Sequence, residues 1–296
     1  MSDQMHGPSD LLQESVVTLE WGKLCYREYA PSAQTESPTT LIFLHGWLDN
    51  AASFNSTIEC LVKLQPNLRI IAVDLPGHGW SDHKLLGQYY NFHDYLHDIS
   101  QLVCKLSATG CWFVGHSLGA LLAACYCAAF PEQVSGLVQI EGVLPLSEEP
   151  DQHAKRIRSA IVSRQRIEAK PVKSISNLQS AISRRSQVNK LEEALIAPIV
   201  ERGTVCRQGR WYWRHDRRLM AESIYRMTPA HADAIARSIE CPWQIILGSE
   251  GYQALTRQWI GYLDQQQIDT IEGGHHCHLQ APQRVAEIIS GIVNKI

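Results

Sequence analysis

The sequence predicts an α/β protein built on a doubly wound, mostly parallel sheet with an inserted helical cap. Three observations predict it. Short, nearly continuous apolar runs recur within residues 40–44, 69–74, 111–114, 134–141 and 241–248, the pattern of strands covered on both faces. Stretches with apolar residues at helical spacing separate most of these runs. Between the last two runs the alternation breaks, and residues 151–218 hold sixteen Lys/Arg against six Asp/Glu. The core is therefore expected in residues 15–146 and 240–296, and the cap in 147–239.

Each element has a local reason. The first fourteen residues read as a polar leader without the apolar stretch of a signal peptide. Residues 15–21 and 23–29 are β-rich runs around Gly22, an edge hairpin. A Ser/Thr/Pro loop then leads to Thr40-Leu41-Ile42-Phe43-Leu44, which ends in His45-Gly46-Trp47. Phe54, Ile58, Leu61 and Leu64 form a helical stripe that Pro66 stops. The strand at 69–74 runs into the turn-rich Leu75-Pro76-Gly77-His78-Gly79-Trp80-Ser81-Asp82, and Leu96, Ile99, Val103 and Leu106 mark a helix over 91–106. Cys111-Trp112-Phe113 leads into Val114-Gly115-His116-Ser117-Leu118-Gly119 and an Ala/Leu-rich helix ended by Pro131. The basic segment has helix-like stretches such as 187–201. Beyond the strand at 241–248 come a helix over 255–263, a short run at 267–272, and a last helix from Pro282 bearing Val285, Ile288, Ile289, Ile292 and Val293.

Composition narrows the function classes. With 45% hydrophobic residues over 296 positions and a net charge of −3, the chain can bury a large core and carries no overall basic charge for nucleic acid. Nine cysteines without finger spacing suggest reduced thiols and a cytoplasmic setting. Cys125 and Cys127 read as small packing residues. No stretch reaches 18 uninterrupted apolar residues, so no membrane span is expected. Arg207-Gln208-Gly209-Arg210-Trp211-Tyr212-Trp213-Arg214-His215 mixes bases and aromatics as nucleic-acid grooves do, but inside the cap it reads as packing and pocket lining.

Gly115-His116-Ser117-Leu118-Gly119 lies between a strand and a helix, the setting in which G-x-S-x-G forms a nucleophile elbow. His45-Gly46-Trp47, Asp74-Leu75-Pro76-Gly77-His78-Gly79, this elbow and Gly273-Gly274-His275 follow one another in the order of the α/β-hydrolase fold, which the chain resembles from about residue 15 to its end. Residues 44–54 (LHGWLDNAASF) look most like its serine hydrolase-like, or kraken-like, branch. The resemblance implies a cofactor-independent serine hydrolase acting on a small-molecule, ester-like substrate through an acyl-enzyme. A catalytically weak ligand-binding relative, or a hydrolase of thioester or C–C bonds, is the alternative. Serine at the elbow argues against epoxide hydrolase or haloalkane dehalogenase chemistry, which in this fold uses aspartate there.

The candidate site follows. Ser117 is the expected nucleophile and needs an adjacent base. Among His275, His276 and His278, the resemblance selects His275, first after the glycine pair and seven before Pro282. His276 and His278 are not accompanied in sequence by a ligand set, so no metal is expected. Related hydrolases generally carry Asp three residues after the glycine ending the strand at 241–248. Here Gly251 stands there and Glu250 one position earlier, so Glu250 is favoured as the acid, with Glu141 as the rival. Asp74 reads as a structural aspartate. The backbone N–H groups of Trp47 and Leu118 are the expected oxyanion donors. His45, Trp47 and His116 are expected around the substrate pocket, and His45 is also expected to order its own loop.

Overall fold

The structure, a computed structural model, describes residues 11–31, 38–252, 255 and 267–294. The apolar runs become strands where expected. β1 (Gln13–Thr18) and β2 (Lys23–Tyr29) pair antiparallel around Gly22, so Gln13 and Glu14 belong to the sheet rather than to a leader. β3 (Thr40–Leu44), β4 (Arg69–Val73), β5 (Cys111–His116) and β6 (Val134–Ile140) follow. The segment after β6 adds a separate hairpin of β7 (Thr204–Arg207) and β8 (Arg210–Trp213), before β9 (Trp243–Gly248) and β10 (Ile268–Ile271) complete the main sheet. Among the described residues that sheet has eight strands in the order β1-β2-β4-β3-β5-β6-β9-β10, parallel from β4 onward.

The helices are α1 (Asn55–Leu64), α2 (Phe92–Lys105), α3 (Leu118–Ala129), α4 (His153–Ala169), α5 (Leu178–Asn189), α6 (Glu193–Arg202), α7 (Pro229–Arg237), α8 (Cys277–Gln280) and α9 (Pro282–Val293). Side-chain alternation sorts them onto two faces. Leu41 and Phe43 pack with Ile58 and Leu61 of α1 and Val285 and Ile289 of α9. Ile42 and Leu44 point the other way, toward Ile99 and Leu102 of α2 and Leu122 of α3. The helix expected over 255–263 falls, but for residue 255, outside the described residues. Among the described residues no helix is long and apolar enough to cross a membrane.

The segment between β6 and β9 differs from its sequence reading in two ways. The helix-like stretch 187–201 is broken, because Lys190 takes a left-handed conformation (φ 55°) that ends α5 before α6 begins. The tract 207–215 is largely a hairpin, turned through Gln208 and Gly209, both at positive φ, as a tight two-residue hairpin turn requires. Trp213 packs against a small core of α5 and α6 residues, and Arg214 donates to the Thr204 carbonyl. The tract packs, and none of it lines the cavity at Ser117.

One buried ion pair ties this segment to the sheet. Arg202, at the end of α6, reaches both oxygens of Asp74 at 3.1 and 3.0 Å through Nε, and Glu14 of β1 through Nη1 at 2.6 Å. Asp74 also accepts from the N–H groups of Ala51 and Trp80, both at 2.8 Å, so one fully buried carboxylate anchors the loops after β3 and β4. This is the structural role expected of Asp74. Arg202→Met leaves that carboxylate without its cation, and is expected to cost about 3–5 kcal/mol of stability. Urea unfolding should show a lower midpoint with an unchanged slope.

Candidate active site

The chain passes from β3 outward to β4 and then back across to β5, so neighbouring strands lead their loops in opposite directions and leave a crevice at their carboxyl ends. His45-Gly46-Trp47 leaves β3 there, and Ser117 leaves β5.

Ser117 has φ 49° and ψ −114°, a strained conformation for a residue with a side chain. The flanking glycines do not relieve it with positive φ of their own. Each makes room for a close approach. A Cβ on Gly119 would lie 1.9 Å from the Leu44 carbonyl oxygen, and one on Gly115 would lie 2.5 Å from the Ala120 nitrogen. The turn is cramped because α3 starts against β3 and β5 at once. Ser117 N–H donates to the Ile140 carbonyl at 2.9 Å, and its own carbonyl accepts from Ala120 at 3.0 Å. Leu118 opens α3, and first-turn N–H groups have no partner within their helix.

Ser117, Leu118, His275, Glu141 and Trp47 line one cavity of about 680 Å³. Its remaining wall is largely apolar or aromatic, from Tyr95, Leu121, Leu144, Met220 and Met227 among others. Trp47 is held there by its indole N–H, which donates to the Leu219 carbonyl at 2.9 Å.

The carboxylate that reaches His275 is Glu141, not Glu250. His275 Nδ1 lies 3.2 Å from Glu141 Oε2. Glu250 is exposed, and its backbone N–H donates to the Gly273 carbonyl at 2.9 Å. Glu141 is buried, with φ 50°, and accepts from the N–H groups of Gly248 at 2.8 Å and Tyr252 at 3.1 Å. A Cβ on Gly251 would stand 2.0 Å from Glu141 Oε1. The glycine that replaces the aspartate of related hydrolases is therefore the space that Glu141 fills. Two sequence features are compatible with this choice without deciding it: the missing side chain at Gly251 and a carboxylate directly after β6.

Two expected pocket residues are elsewhere. His45 and His116 are both buried and neither lines the cavity. His45 orders its loop, with Nδ1 paired to the Gly46 carbonyl at 2.7 Å and Nε2 accepting from the Leu75 N–H at 3.0 Å. Burial holds its imidazole neutral, lowering its pKa from the ordinary value. His116 donates from Nε2 to the His275 carbonyl at 2.9 Å. Its pKa is also pushed well down, first by burial and then by His278, His276 and His275.

The sequence offered no carboxylate to accompany His276, but the fold supplies Asp49, whose Oδ2 is 3.3 Å from His276 Nε2. Burial alone would raise the Asp49 pKa. His276, Arg185 and His116 more than offset that and hold it well below the usual range. Arg185 Nη2 donates to Asp49 Oδ1 at 2.6 Å. His278 is fully buried, pairs with Ser53 Oγ at 2.8 Å, and is pushed down by burial to about 3.

Comparison with known proteins gives the same fold. The profile of the alpha/beta hydrolase fold matches residues 39–241. A serine hydrolase-like protein of Danio rerio is 26% identical, with 91% of this chain and 85% of that protein covered. A probable serine hydrolase of Drosophila melanogaster is 28% identical, with 94% and 86% covered. The crystal structure of a hypothetical protein from Pseudomonas aeruginosa PAO1 superposes with a TM-score of 0.86 at 29% identity, covering 95% of this chain and 99% of that one. By its sheet order, its elbow and the reach of that profile, the chain belongs to the alpha/beta hydrolase fold family, and it is similar to serine hydrolase-like proteins.

Proposed function

We propose that the protein is a serine hydrolase that cleaves a carboxylic ester of small or medium acyl chain through an acyl-enzyme. The observation that carries this reading is the meeting of Ser117 and His275 in one cavity, with Glu141 on His275 Nδ1. Glu141 accepts from Nδ1–H and so leaves Nε2 to take the Ser117 proton as Oγ attacks the ester carbonyl. The imidazolium then protonates the departing alkoxide. Water, deprotonated by the same nitrogen, releases the acid and restores Ser117. The Trp47 and Leu118 N–H groups take the oxyanion of each tetrahedral intermediate. Residues 147–239 act as the cap, supported by the contribution of Arg218 to Met227 to the cavity wall.

The apolar wall is the supporting evidence for an acyl chain rather than a sugar or nucleotide. A series of p-nitrophenyl esters and matching thioesters of increasing acyl length tests it. Each methylene that enters the cavity is expected to raise kcat/KM up to about fourfold, from about 0.8 kcal/mol per buried CH₂. The rise should end where the chain outgrows the cavity. A flat profile, or faster cleavage of every thioester than of its ester, would count against the reading.

A further inference from the structure

A second polar cluster lies beside the elbow and takes no part in the proposed acyl transfer. Asp49, His116 and His276 bring one ligand atom each within 4.8 Å of one another. They are 2%, 1% and 7% exposed. Asp49 Oδ2 stands 3.3 Å from His276 Nε2 and 3.7 Å from His116 Nδ1. Because His116 donates through Nε2 to the His275 carbonyl, Nδ1 of the neutral ring presents a lone pair. That lone pair faces a carboxylate oxygen. Among the described residues neither atom has a hydrogen-bond partner of good geometry. Two buried acceptors turned toward one another repel, and a cation between them reverses the sign.

The chemistry of the donors narrows the cation. Two imidazoles and a carboxylate suit a borderline dication better than Mg²⁺ or Ca²⁺, which favour oxygen. Ligand atoms around a tetrahedral ion at roughly 2.0–2.1 Å stand about 3.3–3.4 Å apart, so the two distances from Asp49 Oδ2 call for only a small contraction, and the set as a whole, within 4.8 Å, must draw in further around an ion. Outer contacts of the usual kind are also in place, with the His275 carbonyl on His116 and the Arg185 guanidinium on the second Asp49 oxygen.

We infer that Asp49, His116 and His276 form a binding site for one first-row transition-metal dication of the Zn²⁺ type. Arg185, a cation on the same carboxylate, limits its affinity. The rings of His116 and His276 lie 4.9 and 5.3 Å from that of His275, centroid to centroid. The binding does not depend on the proposed esterase reading.

The test reads binding. The full chain, stripped with chelator and dialysed, is titrated with Zn²⁺ by calorimetry, and the loaded protein is examined by zinc X-ray absorption. One equivalent per chain is expected, in a shell of nitrogen and oxygen donors that includes two imidazoles. Asp49→Asn and His276→Gln should each weaken binding at least about tenfold. Failure of the wild-type protein to take up one equivalent would overturn the site, as would sulfur in the zinc shell or affinity unchanged in both variants. The wild-type spectrum decides the donors even if a variant fails to fold.

Discussion

Glu141→Gln is expected to lower kcat by about 10⁴-fold, the size of loss found when the carboxylate behind a serine hydrolase histidine becomes an amide. The amide no longer offers two equivalent acceptors. Glu141 Oε2 faces His275 Nδ1 and accepts from Tyr252 N–H while Oε1 accepts from Gly248 N–H, so turning the amide nitrogen to either side breaks at least one contact. An –NH₂ toward Nδ1 selects the tautomer with its proton on Nε2, which cannot take a proton from Ser117. KM should change little, since no substrate contact is removed. Glu250→Gln, an exposed change, should leave kcat within about twofold and stability within about 0.5 kcal/mol. A double variant sharpens the test. With Glu141→Gly removing the carboxylate, Gly251→Asp can place one in the vacated volume, and it is expected to recover part of the activity lost in Glu141→Gly alone. Gly251→Asp by itself meets Glu141 Oε1 and should instead destabilise the fold.

Ser117→Ala is expected to abolish measurable turnover, a loss of about 10⁴- to 10⁶-fold in kcat, because the acyl-enzyme route is removed and only binding and the oxyanion donors remain. The fold should tolerate it. The cramped backbone is set by the close approach of α3 to β3 and β5 at Gly115 and Gly119, not by the serine hydroxyl. Ser117→Gly should in fact raise stability by about 1 kcal/mol, since glycine adopts φ 49° and ψ −114° without strain. An inactive but more stable protein is the expected signature of strain held for function.

The parallel sheet was legible because its central strands are covered on both faces, and Leu41 to Leu44 or Ile70 to Val73 leave no other easy reading. Lys190 shows where legibility ended. Nothing in the composition of 187–201 marks a left-handed residue there, and the break is fixed by how α5 and α6 share the core of Ile182, Ile196 and Ile199. Ser117 and His275 were readable because each sits inside a local motif. The carboxylate was not, since Glu141 and Glu250 each follow a strand and only the three-dimensional turn after β9 decides which reaches the imidazole. His116 was misread for a related reason. Its neighbour faces the cavity, but successive residues at a strand end point to opposite sides, and His116 turns inward toward Asp49 and His276. The partnership of Asp49 with His276 joins a loop after β3 to one before α8, a contact that no local pattern encodes.

The proposed mechanism depends most on Ser117 being an activated nucleophile in the folded protein. Labelling with a fluorophosphonate probe followed by peptide mapping measures this. The expected result is one adduct per chain on the Ser117 peptide, lost in Ser117→Ala, strongly slowed in Glu141→Gln and unaffected in Glu250→Gln. Folded wild-type protein that stays unlabelled, or carries its adduct on another residue, would contradict the account.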